Sequence, residues 1–144
     1  MSSEAENVPS EPEAPAEMEP KAEPEVVDDR SFKERYSFEK RKEMVAKTQK
    51  NHPNTVLVVC EKNSASKLPQ LKKTKFVVPE ALTVSKLMLI IREKLTIGLD
   101  ESIFLFLNNT IPTAVSTIVE LHRDHAEEDG VLYFTYQEES VYGN

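Results

Sequence analysis

The sequence predicts an α+β layer fold, a four-stranded sheet with one long helix packed across it. Three observations carry that expectation. Thr55–Glu61 and Ile103–Leu107 are short, nearly continuous apolar runs, and Val131–Tyr136 is strongly β-prone; unbroken apolar runs of that length mark strands buried on both faces. Val84, Leu87, Met88, Ile91 and Leu95 recur at the i, i+3, i+4 spacing of a core-facing helix. At 144 residues the chain has room for one domain, with little left for a second.

Residues 1–30 differ from the rest of the chain. They hold ten acidic residues against Lys21 and Arg30, a charge of −8, while the remainder sums to +1 and the whole chain to −7. Five of the nine prolines (Pro9, Pro12, Pro15, Pro20, Pro24) lie here, and no aromatic residue does. Such a stretch buries too little apolar surface to offset its ordering entropy, so 1–30 reads as a disordered acidic extension. It resembles neither a secretory signal nor a mitochondrial presequence. No apolar run approaches the ~18 residues of a membrane span. The single cysteine, Cys60, has no partner for an internal disulfide, which suits a reducing, cytoplasmic compartment.

From residue 31 the elements can be taken in order. Ser31 and Glu34 have the spacing of a capping box and predict a short helix of about six residues. A second helix is expected over 38–50, capped by Ser37, with Glu39 in its first turn, Lys47 and Lys50 in its last, and a thin apolar stripe of Phe38, Met44 and Val45. His52-Pro53-Asn54 ends it. A strand over 55–61, a polar loop over 62–74 and a short strand over 75–78 stopped by Pro79 come next. Thr83 caps the long helix, 84–95. The strand 103–107 ends in an Asn108-Asn109 turn. Val115, Ile118, Val119 and His122 predict a fourth helix over 114–125, and Glu127–Gly130 a turn before the last strand. Two helices, two strands, helix, strand, helix, strand is the order of a ubiquitin-like β-grasp with two helices added in front.

Along this frame, Phe38-Glu39-Lys40-Arg41, Lys75-Phe76-Val77-Val78-Pro79, Leu82-Thr83-Val84, Ile90-Ile91-Arg92, Asn108-Asn109 with Ile111-Pro112, Glu127-Glu128-Asp129 and Glu138-Ser140-Val141-Tyr142-Gly143 closely resemble the autophagy ubiquitin-like modifiers. The likeness is to the GABA-receptor-associated-protein and microtubule-associated-protein light-chain type. It runs without obvious gaps from about Ser31 to Asn144, and the acidic segment lies outside it. The resemblance implies a ubiquitin-like domain over 31–137 and a conjugation tail over 138–144. It also implies that a cysteine protease removes Asn144, and that activating and conjugating enzymes join the Gly143 carboxylate to phosphatidylethanolamine on autophagosomal membranes. No other cofactor is expected. A two-chain lipid contributes roughly 0.8 kcal/mol per buried methylene, enough for stable anchoring.

The resemblance further implies cargo receptors that dock aromatic-x-x-aliphatic peptides as an added strand on the edge of 75–79. By position, Thr48, Leu57, Lys75, Val77 and Val131 would line the aromatic pocket. Phe76, Val78, Pro79, Leu82, Leu87, Ile90 and Ile91 would line the aliphatic one. Lys73 and Lys75 would meet acidic residues preceding the aromatic anchor. The chain departs from the family pattern mostly at the first pocket. Family members commonly carry phenylalanine at the place of Val131, isoleucine at Thr48, an acidic residue at Met44 and a basic one at Thr55. A wider, weaker aromatic pocket with a shifted preference is therefore expected. Microtubules are a further partner the resemblance implies, through the N-terminal helices.

Other chemistry finds little support. Cys60 sits mid-strand with no electropositive neighbour in sequence, the setting of a buried, inert thiol. His122 and His125 are three apart on a helix, without cysteines or a third spaced ligand. Lys72, Lys73 and Lys75 suit edge protection as well as peptide docking. With glycines only at 98, 130 and 143 there is no phosphate-cradling loop, and no triad or carboxylate pair stands out, so an enzyme is not expected. A folded part near +1 without a basic aromatic stripe argues against nucleic acid. The rival reading is a ubiquitin-like peptide-binding or cytoskeletal adaptor that is never lipidated.

Overall fold

The computed structural model describes residues 30–98 and 100–138. The acidic extension, apart from Arg30, lies outside the described residues, as do Gly143 and Asn144.

Strand β1 (Thr55–Lys62) is the centre of the sheet. It pairs antiparallel with β2 (Lys75–Pro79) on one side and parallel with β4 (Leu132–Gln137) on the other, and β3 (Phe104–Phe106) pairs antiparallel with β4. The order is β2-β1-β4-β3, the mixed β-grasp arrangement the pattern predicts.

The continuous apolar run of β1 serves two cores, because alternate side chains face opposite sides of a sheet. Val56, Val58 and Cys60 join Phe76, Val78, Phe134 and Tyr136 beneath helix α3 (Val84–Leu95). Leu57 and Val59 join Val77, Val131 and Phe32 on the other face, beneath the N-terminal helices α1 (Phe32–Arg35) and α2 (Phe38–Asn51). Those helices therefore close the second face of a sheet whose first face α3 already covers.

Caps set the helix starts. The predicted Ser31 capping box forms, with Ser31 Oγ accepting from Glu34 N and Glu34 Oε1 accepting from Ser31 N. The α1 helix itself has four residues, shorter than predicted. Ser37 and Thr83 cap α2 and α3 as expected. The fourth helix differs: α4 spans Ile118–His125, starting four residues later than predicted. A capping box of Thr117 and Glu120, overlooked in the periodicity, fixes its start. Val115, read as part of the apolar face, is 80% exposed. The stretch before α4 instead bonds to the start of α3, Val84 N donating to Ser116 O and Ile118 N to Leu82 O. β3 is also shorter than predicted; Asn108 and Asn109 adopt left-handed backbone (φ 52° and 66°) and curl the chain back so that Leu107 bridges Thr110.

Gly130 ends the turn before β4 at φ +87°. An added Cβ there would lie 3.1 Å from a Val45 methyl, so the turn and α2 approach closely only because the residue is glycine.

Candidate functional site

The expected peptide-docking edge is strand β2. It stands at one end of the sheet and pairs with β1 alone among the described residues. Its side chains alternate between the two cores, so each flank of the edge belongs to a different layer.

On the α2 flank a groove of about 840 Å³ opens between helix and strand. No residue of α2 is fully buried; the helix rests on the sheet through half-buried Met44 and Val45, and so thin a contact leaves room beside it. Thr48, Lys75 and Val77 line the groove, together with Lys47, Lys50 and His52. Leu57 and Val131 lie beneath, 2% and 0% exposed, in the core that supports Val77. On the α3 flank, Phe76, Val78, Leu87 and Ile91 are core residues at 3% exposure or less. Pro79, Leu82 and Ile90 are half-buried and are the members of that set presenting surface. Lys73 is exposed and shares a second groove, of about 500 Å³, with Lys72, Lys75 and Lys94.

A polar cluster that sequence reasoning missed also ties α2 to the turn before β4. Arg41 Nε donates to Asp129 Oδ2 at 2.7 Å and its Nη1 to the Tyr36 carbonyl at 2.7 Å. Asp129 also accepts from the Tyr133 hydroxyl (2.6 Å) and the Val131 amide (2.9 Å). Burial alone would raise the Asp129 pKa, but the bonds from Tyr133, Val131 N–H and Arg41 hold it below the ordinary carboxylate range. The bond to Asp129 raises Arg41, while burial, and then Asp129, raise Tyr133. Arg41 and Asp129 both fell within the quoted family-like segments, yet nothing in their separate spacing indicates that they meet.

A second unforeseen arrangement fixes where the C-terminal tail begins. The loop after β1 reads as polar, yet Leu68 and Leu71 are buried. The buried Tyr136 hydroxyl donates to the Pro69 carbonyl (2.7 Å) and accepts from Leu71 N (3.1 Å); burial pushes its pKa up to about 12. Gln137 Oε1 accepts from Asn63 Nδ2, and Glu138 accepts from Ser66 Oγ and Lys67 N. The bond from Ser66, then that from Lys67 N, holds the Glu138 carboxyl below its ordinary value. The apolar pair Leu68 and Leu71 is the signal that could have marked this loop as part of the fold.

The other candidates resolve as local structure. Cys60 is fully buried, and burial pushes its thiol pKa far up. His122 Nε2 pairs with the Gly130 carbonyl and His125 Nδ1 with Asn108.

Comparison with known proteins agrees with this fold. A family described as autophagy protein Atg8, ubiquitin-like, matches residues 40–143. Autophagy-related protein 8 of Candida glabrata is 36% identical over 113 residues, which cover 78% of this chain and 96% of that protein. The crystal structure of Trypanosoma brucei ATG8 superimposes with a TM-score of 0.74 at 28% identity, covering 81% of this chain and all of that one. A match across most of the chain, on a sheet of the same kind, is decisive: the chain belongs to the Atg8 family of ubiquitin-like autophagy proteins.

Proposed function

We propose that the chain is a lipid-conjugated modifier of autophagy that recruits cargo receptors from the autophagosomal membrane. A protease trims Asn144, activating and conjugating enzymes transfer the Gly143 carboxylate to the amine of phosphatidylethanolamine, and the anchored domain binds aromatic-x-x-aliphatic peptides. The chain is cytoplasmic before conjugation and membrane-held after it. The observation that carries the reading is the family membership together with an edge strand flanked by a groove on α2 and by half-buried Pro79, Leu82 and Ile90 on α3. A peptide adding a strand to β2 would gain main-chain hydrogen bonds from the edge and one side-chain contact on each flank.

The test is a reconstituted conjugation reaction on vesicles containing phosphatidylethanolamine. A chain ending at Gly143 should form the lipid adduct, and the same chain carrying Gly143→Ala should not. A full-length chain that is never trimmed, and a trimmed chain that is never conjugated, would establish the unlipidated adaptor instead.

A further inference from the structure

Lys72, Lys73, Lys75 and Lys94 line one groove whose apolar members are Pro69, Leu71, Phe76 and Leu95. Like charges gathered around an apolar floor concentrate a positive potential and favour an acidic chain with small apolar residues. Such a chain exists in the same molecule. Residues 1–29 hold ten acidic residues and a single lysine, interspersed with Ala, Val and Pro.

The segment is joined to the domain through α1. Phe32 N donates to Glu61 Oε2 at 2.6 Å, which seats the start of α1 on the end of β1. Arg35 Nη2 donates to Thr74 Oγ1 at 3.2 Å, and Cys60 N donates to the Thr74 carbonyl. Thr74 lies between Lys73 and Lys75, so the last residue of α1, six residues from the end of the segment, touches the lysine-bearing stretch. A flexible tether of 29 residues would span roughly 30 Å and give a local concentration in the millimolar range. At that concentration even a weak, salt-sensitive contact is populated.

We propose that residues 1–29 dock in cis on the groove formed by Lys72, Lys73, Lys75 and Lys94, and compete there with acidic peptides approaching the β2 edge. The competition rests on the peptide-binding reading above; the contact itself does not.

The test compares the full chain with a full-chain variant carrying Glu17→Gln, Glu19→Gln, Glu23→Gln, Glu25→Gln, Asp28→Asn and Asp29→Asn. At about 20 mM salt, amide NMR signals of residues 71–76 and 94–96 should differ between the two, and the differences should vanish near 1 M, where charges are screened within about 3 Å. An acidic aromatic-x-x-aliphatic peptide should bind the variant ~3- to 10-fold more tightly at low salt. Matching low-salt spectra, differences located elsewhere, or differences that grow with protein concentration would overturn docking in cis. Equal peptide affinities would overturn the competition. A peptide that binds neither chain while the groove signals differ would support the contact and overturn the peptide-binding reading.

Discussion

Arg41 on α2 and Asp129 in the turn before β4 form an ion pair at 2.7 Å, with side chains 12% and 1% exposed. Asp129 accepts two further hydrogen bonds, so removing either partner leaves a buried polar group incompletely satisfied. Breaking such a pair from one side costs far more than a surface ion pair is worth. Arg41→Ala and Asp129→Ala should each lower the urea unfolding free energy by about 2–4 kcal/mol. Tyr133→Phe, which removes one of three bonds, should cost about 1 kcal/mol. Losses below about 0.5 kcal/mol for both alanine variants, the range of ordinary surface substitutions, would show that α2 is held by its apolar contacts alone.

Asp129 and, in the arrangement at the start of the tail, Glu138 set the acid limb of stability. The folded-state pKa values of Asp129 and Glu138 are depressed. A depressed carboxylate contributes stability that is fully present above its unfolded value, about 4, and is lost as pH falls through the folded value. The unfolding free energy should therefore be flat near pH 6 and drop below about pH 4. Asp129→Asn should start less stable and decline less steeply. An unchanged acid slope in that variant would remove Asp129 as its source. At the alkaline end the sign reverses. Tyr136 has a raised pKa of about 12, so its contribution is complete below the ordinary phenol value and disappears as pH rises through the folded one.

The frame of this fold was legible in the sequence because its strongest elements obey local rules. Of the predicted α3 stripe, Val84, Leu87, Ile91 and Leu95 are buried and Met88 is partly buried against the same core, and the doubly buried strand β1 announced itself by its lack of alternation. The errors fell where periodicity competes with caps: Val115 has helical spacing with Ile118 but lies before the Thr117 cap. The candidate site was legible only through family likeness. A groove needs α2 and β2 side by side, and residues 40–52 say nothing locally about Lys75 or Val77. Likewise, Leu57 and Val131 are apolar residues whose place below the groove depends on which face of the sheet each occupies.

Cys60 should behave as an inert core residue. Its thiol is fully covered and its pKa is pushed up by burial, so thiolate is scarce and access requires opening of the central strand. Alkylation by iodoacetamide should be at least ~100-fold slower in native buffer than in urea, because it requires near-global opening. Comparable rates in the two would mean that β1 opens locally and that the two-sided core is looser than its geometry implies.

Tyr136 should couple the loop after β1 to the tail. Tyr136→Phe keeps the ring but removes the acceptor for the buried Leu71 amide and the donor to Pro69. The expected cost is about 1–2 kcal/mol, with faster hydrogen exchange confined to residues 63–71 and 136–138. Exchange that rises uniformly across the sheet would instead assign Tyr136 to the global core.

The α3 flank allows docking to be separated from folding. Leu87 is fully buried and Ile90 only half, although one helix carries both. Leu87→Ala should cost about 2–5 kcal/mol of stability by leaving a cavity, and any loss of peptide binding would come from unfolding. Ile90→Ala removes apolar surface that already meets solvent, so its stability cost should stay near 1 kcal/mol. If an aliphatic anchor seats between Pro79, Leu82 and Ile90, that variant should bind an aromatic-x-x-aliphatic peptide about 5- to 10-fold more weakly, the equivalent of roughly 1 kcal/mol of lost contact. Calorimetric titration on folded protein decides it. Unchanged affinity for Ile90→Ala would move the anchor off this flank and leave the α2 groove as the surface where side-chain recognition occurs.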